Sequence, residues 1–143
     1  MTTLLLDSSV WLAARDSADR FHEASVEIIE GGGGPLGALD LTFYEVGTVA
    51  VRRWRSLDEA RRLTELVQVA TEGRIVRVDG PLAIAAASIG QEEGVSVYDA
   101  AFVAAARERG WRLVSGDLAD LVSRGLAVSP EAVRDGAEPP PGR

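Results

Sequence analysis

Four acidic residues stand where a parallel α/β domain places its functional groups. They are Asp7, Glu45, Asp99 and Asp117. Asp7 directly follows the apolar run Leu4-Leu5-Leu6, Asp117 follows a predicted strand, and the other two occupy the first turns of predicted helices. Carboxylates gathered in one pocket repel one another unless cations are present, and carboxylate oxygens are ligands that Mg²⁺ and Mn²⁺ prefer. The pattern therefore predicts a divalent-metal site built from these four side chains.

Each of these acids also has an ordinary structural explanation. Asp7 can cap the helix that follows it, and Asp117 can begin its own helix. Thr42 to Glu45 and Ser96 to Asp99 both resemble capping arrangements, in which an early acid stabilises the positive end of the helix dipole. Taken singly, the capping roles are favoured. The joint pattern favours a site, because the ends of neighbouring parallel strands meet at one edge of a sheet.

Other acids compete for places in this site. Asp40 follows the second predicted strand, and Asp120 lies one helical turn beyond Asp117. We rank both below the four chosen acids. Asp79, which precedes Gly80-Pro81, is interpreted as a helix cap.

Strand and helix patterns alternate along the chain. The predicted strands are Thr3 to Leu6, Pro35 to Leu39, Arg74 to Val78, Trp111 to Val114 and a weak fifth at Leu126 to Val128. The predicted helices are Ser8 to Arg15, Arg20 to Glu30, Thr42 to Trp54, Ser56 to Gly73, Asp79 to Glu93, Asp99 to Arg109 and Asp117 to Arg124. This alternation predicts an α/β domain with a mostly parallel sheet of four to five strands. The two helices between the second and third strands are expected to form a helical arm outside the usual pattern, as a surface for binding or dimerisation.

Composition excludes several kinds of chemistry. All 15 basic residues are arginine, His22 is the single histidine, and there is no cysteine. Without lysine there is no Schiff base and no phosphate-binding lysine of the Walker type. One histidine rules out a multi-histidine zinc site, and the missing thiols rule out a cysteine nucleophile. The net charge of −7 argues against a general nucleic-acid coat protein.

The length of 143 residues favours one domain, expected over residues 1–128. The stretch 129–143, with Pro139-Pro140-Pro141, has little apolar content and is expected to be a loosely ordered tail. We find neither a cationic leader nor an apolar run of membrane-spanning length. A soluble cytoplasmic protein without a membrane partner is the expectation.

Four segments carry a family resemblance. They are Leu4-Leu5-Leu6-Asp7-Ser8-Ser9-Val10, Thr42-Phe43-Tyr44-Glu45-Val46, Tyr98-Asp99-Ala100-Ala101-Phe102-Val103-Ala104-Ala105-Ala106 and Leu113-Val114-Ser115-Gly116-Asp117. In this order they resemble the acidic motifs of PIN-domain ribonucleases, and the VapC-type toxins of toxin–antitoxin pairs are most similar in length and pattern. The resemblance runs from about Thr3 to Val128. It implies a PIN-like three-layer α/β/α sandwich.

The resemblance also implies an activity and partners. The activity would be Mg²⁺- or Mn²⁺-dependent cleavage of RNA that leaves a 5′-phosphate and a 3′-hydroxyl. The partners would be an RNA substrate, a cognate antitoxin and a second copy of the chain in a homodimer. Ser115, where such toxins often carry threonine, and Ser8 would orient a ligand or phosphate.

Basic and aromatic residues are predicted to have supporting roles. Arg52, Arg53 and Arg55 are candidates for holding the RNA backbone, with a solvated helix end as the alternative. His22 is predicted to pack or to hydrogen-bond rather than to catalyse. The three tryptophans are interpreted as core or interface residues, with an RNA-facing position for Trp54, which stands beside the arginines, as the alternative.

Two other functions stay open on the sequence alone. One is a non-catalytic PIN-like regulatory module in which the acids only cap helices and the helical arm binds a protein. The other is a structure-specific DNA nuclease with the same metal chemistry. A response of stability to Mg²⁺ separates the first from an enzyme, and a substrate assay separates the second.

Overall fold

A four-stranded parallel sheet forms the centre of the protein. The computed structural model describes residues 1–136. Its strands are β1 (Leu4–Leu6), β2 (Leu36–Leu39), β3 (Ile75–Val76) and β4 (Arg112–Val114). They are ordered β3-β2-β1-β4, and every pairing is parallel. The weak fifth strand is reduced to one parallel bridge between Val114 and Val128.

Strand β1 is buried on both faces of the sheet. Leu4 and Leu6 pack into one hydrophobic cluster, whereas Leu5 packs into the other. Successive side chains of a strand point to opposite faces, so three consecutive leucines require cover on both sides. The unbroken leucine run therefore accounts for the central position of β1.

Helices provide this cover and make the molecule a three-layer α/β/α sandwich. They are α1 (Ser8–Ala13), α2 (His22–Glu27), α3 (Leu41–Arg52), α4 (Leu57–Thr71), α5 (Gly80–Glu93), α6 (Val97–Arg109) and α7 (Pro130–Arg134). Helices α5 and α6 pack with Leu5 on one face. Residues of α1, α3, α4 and α7 pack with Leu4 and Leu6 on the other face. The predicted fold class is confirmed.

Two of the predictions about connections were wrong. Helices α3 and α4 bury Val46, Ala50, Leu63 and Val67 in the core, so they cover the sheet rather than form an arm outside it. The stretch after Asp117 forms a π-helical turn, Leu118–Val122, in place of an α-helix that reaches Arg124.

The predicted loose tail is also wrong in its first part. Ser129 caps α7 by accepting a hydrogen bond from the Ala132 N–H at 3.1 Å. Val133 of α7 is buried in the core beside β1. Residues 137–143, which include the run of three prolines, lie outside the described residues.

Side-chain caps begin several of the helices as predicted. Ser56 Oγ accepts from the Glu59 N–H at 3.0 Å, Asp79 Oδ1 accepts from the Leu82 N–H at 3.0 Å, and Ser96 Oγ caps α6 in the same way. Such caps stabilise a helix by about 1 kcal/mol each. No helix within residues 1–136 is long and apolar enough to cross a membrane.

The sheet offers a direct test at Gly37 in β2. A Cβ atom at Gly37 would lie 2.4 Å from Cζ3 of Trp111, whereas a Cβ at Gly47 in α3 meets nothing within 4 Å. Gly37→Ala is expected to lower the free energy of unfolding by about 1–3 kcal/mol through overpacking. Gly47→Ala, the matched control, is expected to raise it by about 0.5–1 kcal/mol through helix propensity. Urea denaturation measures both, and equal effects would contradict the packing of Trp111 over β2.

Candidate active site

The candidate site lies at the carboxyl edge of the sheet, where β1 and β4 end side by side. Asp7 directly follows β1, and its N–H donates to the Val114 carbonyl of β4 at 3.1 Å. Asp117 follows β4 by three residues. The chain leaves β1 for β2 on one side and returns to β4 on the other, so this edge is a topological switch point.

Hydroxyl groups hold the buried carboxylate of Asp7. Ser115 Oγ donates to Oδ2 at 2.5 Å, and Oδ1 accepts from the Ser9 hydroxyl and from the Ser9 N–H, the latter at 3.1 Å. The residue is only 7% exposed. Burial raises the pKa of Asp7 to about 6, although these hydrogen bonds oppose the rise. Asp7 thus caps α1 and also places a carboxylate at the site whose negative charge is destabilised by burial.

Glu45 enters the site from the second turn of α3. Its Oε1 accepts a hydrogen bond from Ser8 Oγ at 2.7 Å. Burial raises the pKa of Glu45, the Ser8 hydroxyl opposes this, and the charge of Asp99 adds to it. Thr42 is fully buried within α3 and makes no cap, so the capping explanation for this segment does not hold.

Asp99 is a half-buried acid that interacts electrostatically with the other acids of the site. Burial raises its pKa first, and the negative charges of Asp117 and Asp120 raise it further. Its backbone N–H donates to Ser96 Oγ at 3.1 Å, which confirms the cap at the start of α6. A hydrogen bond between the Ser96 side chain and the Asp99 carboxylate opposes the rise in pKa.

The charge of Asp99 also raises the pKa of Asp7 and of Glu45. All four predicted acids are therefore connected through one member. Such mutual repulsion between side chains from four separate segments costs folding free energy, which a cation would recover.

The donor set fits Mg²⁺ or Mn²⁺, since it consists of carboxylate oxygens on rigid elements. Among residues 1–136, however, no three acidic or histidine side chains are gathered closely enough to hold a metal ion as they stand. The structure thus brings the acids into electrostatic contact without closing them into a cage.

The two rival acids have different positions. Both carboxylate oxygens of Asp40 accept from the Val78 N–H at 3.3 Å, which fixes the chain after β3. Asp120 donates its N–H to Asp117 Oδ1 at 3.0 Å, and its charge acts on Asp99. Asp120 therefore belongs to the acidic surroundings of the site, whereas Asp40 has a structural role.

Sequence reasoning left the role of Ser9 open and missed that of Gly116. Besides binding Asp7, Ser9 Oγ accepts from the Gly116 N–H at 2.9 Å. A Cβ at Gly116 would lie 3.1 Å from Phe21 and 3.3 Å from Ser9 Oγ. A larger residue at this position would press on both neighbours, so glycine suits the close approach of the β4 loop to the start of α1. A glycine beside a predicted acid was the one available signal in the sequence.

The other predicted residues lie as follows. His22 shares a 2.8 Å hydrogen bond through Nδ1 with the Ala13 carbonyl, so its structural role is confirmed. Trp11 is fully buried, and Trp54 and Trp111 are partly buried against the core.

Arg52, Arg53 and Arg55 lie at the end of α3 and in the turn that follows. All three are exposed, and none forms an ion pair within residues 1–136. The seven residues from Glu45 to Arg52 place this cluster about 10 Å along α3 from the acids.

A family comparison matches this arrangement. The model of the PIN domain matches residues 4–119, a span that includes all four acids. The chain belongs to the PIN domain family. The resemblance carried by the four segments is thereby confirmed at the level of the family. No curated protein sequence matches the chain significantly.

Solved structures share this PIN fold. PAE2754 from Pyrobaculum aerophilum is 24% identical with a TM-score of 0.65, and the match covers 94% of this chain and 88% of that one. The sarcin–ricin-loop-cleaving toxin VapC20 from Mycobacterium tuberculosis is 20% identical with a TM-score of 0.61, and the shares are 80% and 91%. DNA-bound VapBC from Salmonella typhimurium is 18% identical with a TM-score of 0.64, and the shares are 90% and 97%. At these identities the likeness shows the fold.

The raised pKa of Asp7 makes stability depend on pH in a defined direction. The folded protein binds the proton of the Asp7 carboxyl group more tightly than the unfolded chain does. The contribution of this proton to the free energy of unfolding is therefore complete below pH 3.8 and is lost as pH rises through about 6. The loss amounts to about 3 kcal/mol. In metal-free buffer Asp7→Asn, which cannot ionise, is expected to gain stability over the wild type between pH 4 and pH 8.

Urea denaturation across this range measures the gain. Asp58→Asn is the matched control, since the Asp58 side chain is 76% exposed on α4 and pairs only with Arg61. A difference between Asp7→Asn and wild type that does not change with pH would contradict the assigned burial of charge.

Proposed function

We propose that this chain is an Mg²⁺- or Mn²⁺-dependent endoribonuclease and the toxin of a toxin–antitoxin pair. The observation that carries the proposal is the coupling of four acids through Asp99 at the switch point of a PIN fold. An assembly of like charges costs stability unless it serves a cation. Its place at the carboxyl edge of the sheet is where ligands of such folds bind.

In this proposal Asp7, Asp99, Glu45 and Asp117 hold the ion, directly or through water. A bound divalent cation activates water and neutralises charge on the phosphate and the leaving oxygen. The hydroxyls of Ser9 and Ser115 fix the orientation of Asp7, and Ser8 does the same for Glu45. Hydrolysis at this site would leave a 5′-phosphate and a 3′-hydroxyl, as the family resemblance implies.

The RNA backbone would leave the acids along α3 and reach the arginine cluster. Arg52, Arg53 and Arg55 are exposed and carry no internal partner among the described residues. Guanidinium groups bind phosphate oxygens through paired hydrogen bonds. This local positive charge would offset the net charge of −7 that otherwise repels RNA.

The proposed partners follow from the toxin assignment. The fold is shared with a toxin–antitoxin complex from Klebsiella pneumoniae, at 19% identity and a TM-score of 0.65 over 89% of this chain and 97% of that one. We propose that a cognate antitoxin covers the site with an apolar segment and directs an arginine at the acids. A homodimer acting in the cytoplasm completes the proposal.

Removing the charge of Asp99 tests the enzymatic role. Asp99→Asn is expected to lower RNA cleavage by at least about a hundredfold, because each acid contributes to binding the cation that activates water. The measurement is the rate of cleavage of total RNA in Mg²⁺ or Mn²⁺, with sequencing of the RNA ends. Asp58→Asn, which changes a remote exposed acid in the same way, is expected to leave the rate unchanged.

The same assay separates the alternatives. Full activity of Asp99→Asn in metal-replete buffer would contradict the site. Cleavage of structured DNA in place of RNA would favour the DNA nuclease, and inert wild-type protein would favour the non-catalytic module.

Cation binding should also raise the thermal stability of the folded protein. Titrating Mn²⁺ into the wild type at pH 7.5 is expected to raise the melting temperature with concentration, since the ion binds the folded state alone. The rise should be smaller at pH 5.5, where protons compete for Asp7, whose pKa lies near 6.

Asp99→Asn should lose most of the rise, whereas Asp58→Asn should retain it. A flat titration of the wild type would favour the binding module.

A further inference from the structure

The aromatic side chains of the protein are distributed unevenly between core and surface. The chain has three tryptophans, three phenylalanines and two tyrosines. Every tryptophan and phenylalanine is buried or partly buried. Tyr44 and Tyr98 alone among them are largely exposed, at 79% and 67%. Tyrosine is ordinarily intermediate in burial, so the exposure of both needs an explanation.

Each exposed tyrosine directly precedes an acid of the candidate site. Tyr44 precedes Glu45 in α3, and Tyr98 precedes Asp99 in α6. Neighbouring residues of a helix point about 100° apart, so the acid turns inward while the ring stands at the rim. Helix α3 begins directly after β2, and α6 leads back to the start of β4, so both helices begin at the carboxyl edge of the parallel sheet. The two helices cover opposite faces of the sheet, so the two rings flank its acidic edge.

The rings have no structural task within the described residues. Neither phenol forms a hydrogen bond within residues 1–136, and neither ring belongs to a hydrophobic cluster. The cation–π contacts of the described residues involve Phe21 and Trp111 instead. An exposed aromatic face beside a site for phosphate chemistry is what single-stranded nucleic acids stack upon.

We propose that Tyr44 and Tyr98 are the base-stacking residues that position single-stranded RNA, each ring stacking on an unpaired base next to the phosphate held at the acids. This inference rests on the proposed function, because it assigns the form of its substrate. The rings set position and affinity and take no part in the chemical step.

The geometry favours an unpaired strand over a duplex. Asp7 is 7% exposed and Asp99 is half-buried, so the scissile phosphate must approach the floor of the pocket. A strand whose bases are splayed apart onto flanking rings can bend inward, whereas a paired A-form helix keeps its bases stacked on one another.

The geometry also favours RNA over an apolar protein surface. Each ring adjoins an acid, Glu45 or Asp99, whose carboxylate an apolar partner that brings no cation would have to bury without compensation. A nucleic acid would bring phosphates that bind a divalent cation held by these carboxylates, and its bases would cover the rings.

The test begins with steady-state cleavage of a single-stranded RNA substrate. Tyr98→Ala and Tyr44→Ala are expected to raise KM about tenfold to a hundredfold each, the range of one lost base stack, with kcat changed less than threefold. Tyr98→Phe keeps the ring and is expected to behave as wild type. Tyr98→Leu keeps apolar area without a π face and is expected to behave as Tyr98→Ala.

A spectroscopic measurement reports stacking without cleavage. The probe is a 12-nucleotide single-stranded RNA carrying 2-aminopurine, bound to the Asp99→Asn protein. Its fluorescence is expected to fall on binding, to fall equally with Tyr98→Phe added, and to fall much less with Tyr98→Ala or Tyr98→Leu added. Val69→Ala is the matched control. It shortens an apolar side chain that is 69% exposed near the C-terminal end of α4.

Several results would overturn the inference. They are a KM unchanged by both alanine variants, equal behaviour of Tyr98→Leu and Tyr98→Phe, or quenching that does not depend on the tyrosines. Loss of self-association or of antitoxin binding, measured by light scattering with RNA cleavage intact, would assign the rings to a protein interface instead.

The outcomes also separate this inference from the proposed function. Wild-type protein that cleaves RNA with a tyrosine-independent KM refutes stacking alone. Protein that quenches the probe through its tyrosines but cuts no RNA refutes the nuclease and leaves stacking in place.

Discussion

The structure depends on the burial of one carboxylate at the end of the central strand. Asp7 follows three buried leucines, and desolvation raises its pKa to about 6 although serine hydroxyls hold both oxygens. A protein selected for stability alone would place an uncharged residue there, since burying a charge is costly. The charge of Asp99 adds to that cost. Stability given up at one point in this way is typical of functional sites.

The fold explains how distant residues come to share this point. The order β3-β2-β1-β4 sets the ends of β1 and β4 side by side, so Asp7 and the loop of Ser115 to Asp117 meet although more than a hundred residues separate them. Helices α3 and α6 begin at the same edge and bring Glu45 and Asp99. Ser9 and Gly116 then join α1 to the β4 loop through a hydrogen bond, at a point where a larger residue in place of Gly116 would press on Phe21 and Ser9.

Much of this arrangement could be predicted from the sequence, and the failures have physical causes. The leucine run, the caps and the order of the acids are local patterns, and they predicted the sheet and the acidic edge. The role of Ser9 depends on a contact with Gly116, and α7 depends on Val133 reaching the core beside β1, neither of which local pattern encodes. The position of α3 and α4 was wrong because helix periodicity shows which residues are apolar, but not which surface they cover.

The central claim is that these acids form one cation site, and crystallography with Mn²⁺ tests it most directly. The account predicts anomalous density between Asp7 and Asp99, with the carboxylates of Glu45 and Asp117 drawn toward it. It also predicts that the density is lost in Asp99→Asn crystals. Mn²⁺ bound only elsewhere, or an unoccupied acidic edge at saturating Mn²⁺ and neutral pH, would contradict the account.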